Sequence, residues 1–207
     1  MKSAPRQDIH PDSRAGEILA AAERLFCRNG YQGVSMNEVA REAGVSKANV
    51  FHHFGSKEEL YLEVIRNVRS ALTSEIMAIA QAPGGVEQTL TQVAEAELRH
   101  LFQYSDQVRL FMRECLEPGR DKALAAKVFG NTFAELVASL SGAQERGEMR
   151  TDVNASFPVM VLVAACVFFF QHAEILRHIP EADPATTNPD IFTRELVRLL
   201  VHGLRPA

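Results

Sequence analysis

Apolar side chains recur along this chain every three or four residues, and glycine, proline and capping residues interrupt the repeat. That spacing predicts helices; no alternating run of useful length and no internal repeat accompanies it. Residues 1–12 are polar, carry Pro5 and Pro11, and read as a mobile arm. Asp12 or Ser13 can cap a first helix, in which Ile18, Leu19, Ala22, Leu25 and Phe26 share one face. Asn29-Gly30 ends it, with Gly30 suited to the left-handed position past a helix end. Ser35 and Glu38 form a capping-box pattern for a second helix that turns Val39, Ala40 and Ala43 inward. Gly44 supplies the positive φ of a sharp turn, and Ser46 caps a third helix running to about His53. Ser56 and Glu59 repeat the capping-box pattern before a long fourth helix, whose Leu60, Val64, Val68, Leu72 and Ile76 recur about every turn.

Ala82-Pro83-Gly84-Gly85 breaks that helix. Further helices are predicted at about 86–104, 106–116, 120–146, 153–179 and 189–204. Pro118-Gly119, Gly147 and the proline-bearing loop 179–189 separate them. The fold class is therefore all-α, with about nine helices. Residues 13–56 read as a small three-helix domain and 57–207 as a larger bundle; the fourth helix joins them, with the core changing inside it. Helix 153–179 is apolar nearly all round and reads as buried on several sides. Its longest apolar run, Val159–Phe170, falls short of the roughly 20 residues of a membrane span, so no membrane association is expected. Helix 189–204 carries Phe192, Leu196, Leu199 and Leu200 on one stripe, which suits a dimer interface or an intrachain core.

With 207 residues, 46% of them hydrophobic, the chain can bury a real core. Its net charge of −4 argues against a protein coated in nucleic acid. Residues 1–60 hold 8 Lys+Arg against 8 Asp+Glu, so the whole excess of acid lies in the remainder. A local patch in the N-terminal part can still dock on phosphates. Cys27, Cys115 and Cys166 lie far apart with no CxxC spacing, as buried thiols in a reducing cytoplasm would. The first residues lack the apolar stretch of a signal peptide, and a cytoplasmic location is expected.

The stretch Val39–Phe54 pairs two short helices across a tight turn, with polar residues opening the second. That is the shape of a helix-turn-helix reader of the DNA major groove. Ala40 is small where helices cross, and Val45 and Val50 lock the third helix inward. Lys47, Ala48 and Phe51, with the polar Ser46 and Asn49, are left to face outward. Lys47 can donate to guanine O6 and N7, and Ala48 or Phe51 can touch a thymine methyl. Asn37 on the second helix is a further base or phosphate contact. Ser35, Ser46, Asn49, His53 and Lys57 are of the type that grips phosphates. A core role for Phe51 and a plain surface role for His53 are the competing readings; His52, next to the motif, can pack against the first helix and is left out of the site.

From about Ile18 to Leu62 the chain resembles the DNA-binding domain of TetR-family transcriptional regulators. The carrying residues are Ala21–Phe26, Gly30-Tyr31, Val34–Ala40, Gly44–Lys47 and Phe51–Leu60. The resemblance implies base contacts at Asn37, Lys47, Ala48 and Phe51, and phosphate contacts at Ser35, Asn49, Phe51, His53 and Lys57. Where this chain has Phe51 the family often has Tyr; Phe lacks the hydroxyl, so an apolar base contact is favoured there. The resemblance further implies a homodimer on a (pseudo)palindromic operator, formed through the last two helices. It implies a ligand-responsive regulator, a repressor in the family's prevailing manner.

The C-terminal part offers Leu98, Phe102, Phe111, Met112, Cys115, Phe129, Phe133, Val163, Phe169 and His172 as candidate lining of a ligand pocket. Their apolar character points to an acyl, aromatic or lipophilic drug-like effector. No cofactor, metal site or catalytic residue is expected. Three alternatives stand beside this reading: a metal-responsive regulator, a helical adaptor that binds no DNA, and an enzyme using Cys115, Cys166, His100 or His172. The seven histidines are scattered, and no metal-ligand or catalytic spacing supports the first or the last.

Overall fold

The computed structural model describes residues 10, 13–116, 122–180 and 187–205, apart from the side chains of 113–116, 122–125, 127 and 128. The helices are α1 (Arg14–Asn29), α2 (Met36–Glu42), α3 (Lys47–Phe54), α4 (Lys57–Gln81), α5 (Val86–Gln103), α6 (Ser105–Leu116), α7 (Lys122–Glu145), α8 (Ser156–Leu176) and α9 (Pro189–Leu204). Among the described residues there is no strand. The all-α reading holds. The mobile arm expected over residues 1–12 lies, His10 excepted, outside the described residues.

The chain forms two compact units. One comprises the residues up to Val68 together with those from Asp106 to Val128; the other comprises Arg69–Ser105 and Phe129 onward. In the first unit Ile18, Phe26, Val39, Val50, Phe54, Leu60 and Val64 share one core. Leu110 of α6 joins that core, and Gln107 of the same helix donates to Glu23 of α1 at 2.7 Å. Burying Leu60, Tyr61, Val64 and Ile65 extends this unit into α4.

Local sequence sets these helices. Ser13 caps α1, its hydroxyl accepting from the Gly16 amide. Ser35 caps α2 in a complete capping box: its hydroxyl accepts from the Glu38 amide at 3.2 Å, and its own amide donates to the Glu38 carboxylate at 2.7 Å. Hydrogen bonds to the carboxylate from the Ser35 side chain and from the Ser35 amide hold the Glu38 carboxyl below its ordinary pKa. At α4 the Ser56 hydroxyl accepts from the Glu59 amide at 3.1 Å. Gly30 has a positive φ of 70°, but its ψ of 172° places it in an extended mirror region and not in the left-handed helical region expected of it. Only glycine reaches that conformation without strain.

In the second unit α5 packs on α8 and α9, and α8 packs on α9. Leu72 and Ile76 of α4 are buried, as their spacing predicts. Gln144 Nε2 donates to the carbonyls of Arg150 and Val153, both at 2.7 Å, and pins the turn between α7 and α8. The reading of α8 as buried on several sides is corrected. Only about a third of its most apolar stretch is buried, although by length and composition the helix could cross a membrane. Phe157, Met160, Phe168 and Ile175 are each more than half exposed. Their spacings of three, eight and seven residues put them on one helical stripe.

Candidate functional site

The turn between α2 and α3 is closed by backbone bonds. The Ala43 amide donates to Val39 O and the Val45 amide to Ala40 O, each at 2.9 Å. Gly44 takes φ +66°, with no atom within 4 Å of where a Cβ would stand; conformation alone requires glycine there. Val50 and Phe54 anchor α3 in the core. Lys47, Ala48, Phe51 and His52 form its outward face. Phe51 is 40% exposed, which removes the core reading of its ring. Lys47 Nζ lies over that ring, 5.8 Å from its centroid, so cation and aromatic ring form one surface.

Around this face lie the candidate phosphate contacts. Ser46 caps α3, its hydroxyl accepting from the Asn49 amide at 3.2 Å. At Ser46 the cap uses the oxygen as acceptor and leaves the O–H as a donor for a phosphate; Ser35 is exposed too, but its side chain is engaged by Glu38. Asn49 does not face fully outward as expected: it is half-buried, and its Oδ1 is buried without a partner. Lys57 Nζ sits 4.3 Å from the Tyr31 ring centroid and donates to the Gln32 carbonyl at 3.5 Å. Tyr31 is in turn packed against Phe26 and Tyr61. Asn37 is exposed on α2, and the half-buried His53 lies against His52 and Phe54.

The ten candidate pocket residues are divided between the two units. Phe111 packs against the core of the first unit, and Met112 belongs to that unit too. The Cys115 side chain lies outside the described residues. In the second unit Leu98 and Phe169 are buried, Val163 is half-buried, and Phe102 and Phe133 are exposed. Phe102 meets Phe169 and Phe170 edge-on at 6.2 and 5.4 Å. His172 stacks on Phe168 at 4.2 Å and contacts the Phe168 carbonyl on its own helix. A small apolar cavity of about 10 Å³ lies among Leu90, Val93, Leu136, Leu140, Val159 and Leu162, with Thr89 at its wall. Of the candidate dimer residues, Phe192 stacks within the unit on Phe169 at 4.3 Å, whereas Leu199 is 73% exposed. Leu196 and Leu200 are half-buried.

Comparison with known proteins agrees with this geometry. The profile of bacterial regulatory proteins of the tetR family matches residues 18–64. The transcriptional repressor AcnR of Corynebacterium glutamicum is 31% identical over 156 residues, covering 73% of this chain and 75% of AcnR. The chain belongs to the TetR family. The transcriptional activator FasR of Mycolicibacterium smegmatis is 38% identical over 85 residues, 41% of this chain and only 39% of FasR. Among solved structures, the transcriptional regulator FadR of Bacillus subtilis in complex with stearoyl-CoA shares the fold, with a TM-score of 0.74. It is 13% identical and is matched over 90% of this chain and 97% of FadR.

As a TetR-family member the chain is a DNA-binding transcriptional regulator; its relatives regulate transcription and are not enzymes. The thiols agree with that. Burial pushes Cys166 up to about 12 and Cys27 up to about 11, with Glu23 and Asp106 adding to the latter, so neither is a ready nucleophile. Two features of the helix-turn-helix surface escaped the sequence reading. His52 follows Ala48 by one turn and shares its exposed face, a relation its spacing contains. The hold of Tyr31 and Gln32 on Lys57 spans 25 residues and has no local signal.

Proposed function

We propose that this TetR-family regulator is a dimeric, cytoplasmic repressor of a (pseudo)palindromic operator, released by a small apolar effector. The observation that carries the DNA part is the outward face of α3, where Lys47, Ala48 and Phe51 stand clear on a helix anchored by Val50 and Phe54. Lys47 and Asn37 donate to base edges, and Ala48 and Phe51 meet thymine methyls. Ser35, Ser46, Asn49, His53 and Lys57 hold the phosphates on either side. The exposed stripe of α8, with Leu199 of α9, supports pairing with a second copy, because an unpartnered apolar face of that length belongs at an interface. A dimer offers two recognition helices to half-sites about 34–36 Å apart. An effector that prefers a different spacing weakens operator binding by its differential affinity. Helix α4 runs without a break from one unit into the other and is the covalent route for that change. The relatives include both a repressor and an activator. Repression rests on the longer match, to AcnR.

A gel-shift titration on the DNA upstream of the gene tests the reading. A saturable, sequence-specific shift is expected, with Lys47→Ala and Asn37→Ala each weakening it by about 1–3 kcal/mol. Unchanged affinity in both variants, or a shift indifferent to sequence, refutes the assignment of these residues.

A further inference from the structure

The second unit contains a polar cluster that neither DNA reading nor dimer formation uses. Arg69 of α4, its side chain only 13% exposed, meets the buried Glu97 and His100 of α5, at 5% and 4% exposure. The nearest approach of Arg69 to Glu97 is 3.6 Å, outside hydrogen-bond range, so their charges are matched while the guanidinium's donors are not all taken. Arg69 Nε and His100 Nε2 are buried without hydrogen-bond partners. The guanidinium carbon lies 4.3 Å from the Phe129 ring centroid, which stacks it in place. The His100 ring lies 4.9 Å from that of Tyr104, and Cys166 of α8 is close enough for Glu97 to raise its thiol further. Buried polar atoms are nearly always paired, so two orphans beside one charged pair mark a place where a partner belongs.

We propose that Arg69 and His100 are the polar anchor of the effector site, and that the effector is an uncharged, mainly apolar molecule carrying a hydrogen-bond-accepting oxygen. This rests on the ligand-released reading above and deepens it. The exclusion of ions follows from charge. Arg69 is already balanced by Glu97, and burial with the charge of Arg69 holds His100 neutral, its pKa pushed down to about 4. A carboxylate would bring an unbalanced charge into the interior, and a cation would meet Arg69; each carries a heavy desolvation penalty. A carbonyl or hydroxyl oxygen satisfies the Arg69 Nε–H at no such penalty. The apolar void is one helical turn away: Val93 precedes Glu97 by four residues on α5, and Leu162 precedes Cys166 by four on α8. At about 10 Å³ it has room for about one water. An effector therefore widens it, and widening is a structural change of the sort a ligand-driven switch requires. Arg69 stands on α4 next to Val68, where that helix leaves the DNA-binding unit.

Isothermal titration of the full-length protein with 2-undecanone and with undecanoate tests this. These are an uncharged ketone and an anion of equal chain length. The ketone is expected to bind at least tenfold tighter than the anion. It is expected to lose about tenfold or more in Arg69→Lys, which keeps the charge facing Glu97 but lacks the Nε–H donor. The paired variant Arg69→Met/Glu97→Met strands no charge and guards against misfolding; it is expected to lose as much. Equal ketone affinity in all three proteins overturns the anchor while leaving ligand control standing. Tighter binding of undecanoate overturns the uncharged class. Binding of neither probe, with the operator complex also unmoved by both, overturns the apolar-effector reading along with the anchor.

Discussion

His100 shows how a single side chain ties burial to pH. Burial and the neighbouring Arg69 lower its pKa from the ordinary 6.5 to about 4. Between those values the unfolded chain binds a proton that the folded chain does not, so its contribution to stability falls as pH falls from 6.5 toward 4. Glu97 opposes this, because burial raises its pKa and the folded state gains from its protonation. A variant isolates the histidine. His100→Leu is expected to improve relative to the parent by roughly 2 kcal/mol when denaturant melts at pH 7 and pH 4.5 are compared. A constant gap between the two proteins at both pH values would show that His100 does not titrate this way. None of this was visible in the sequence, where His100 stood among scattered histidines and in the enzyme alternative that no spacing supports. Arg69, Glu97, Phe129 and Cys166 meet there from four helices, and no local spacing announces such a meeting. Lys47 and Ala48 were legible because the turn that exposes them is built from adjacent residues.

At the scale of elements, the sequence reading and the structure agree at the helix starts and at the Gly44 turn, where local chemistry sets the outcome. Ser35 and Glu38 satisfy each other within one turn, so the start of α2 is encoded in four residues. Helix α9 begins at Pro189 because Asn188 caps it through bonds to the Asp190 and Ile191 amides. Gly44 is the sharpest such case, since its φ of +66° is required and the space around it is empty. Gly44→Ala is expected to lower unfolding stability by about 1 kcal/mol. Gly44→Asn, whose side chain tolerates the left-handed region, is expected to lose less. Equal losses in thermal melts of the two would mean that volume and not φ governs the turn. Helix α8 marks where local reading stops. A helix apolar all round can be deduced from composition, but which face meets its own bundle and which stands open depends on α5 and α9, far away in sequence. The same limit placed Phe192 on a dimer stripe, when its ring is stacked on Phe169 inside the unit.

For the whole molecule, the proposed dimer raises the question of how two copies would share one operator. One recognition helix of eight residues makes few base contacts, and a protein with net charge −4 gains little from non-specific attraction to DNA. Useful affinity therefore depends on joining two such helices, because the second half-site is then bound at a high effective concentration. The surface proposed to join them is the stripe of Phe157, Met160, Phe168 and Ile175 with Leu199, the most exposed large apolar side chain among the described residues. In a twofold interface any substitution appears twice. Leu199→Asp would bring two carboxylates into an apolar contact without touching the core of its own unit. It is expected to sediment as a monomer at concentrations where the parent is a dimer, with helix content and thermal unfolding nearly unchanged. Its affinity for the full operator is expected to fall by about 10²–10⁴, the advantage that linkage confers, while binding to an isolated half-site is kept. A Leu199→Asp protein that stays dimeric would move the interface elsewhere, and one that loses half-site binding as well would show that the substitution had damaged the fold.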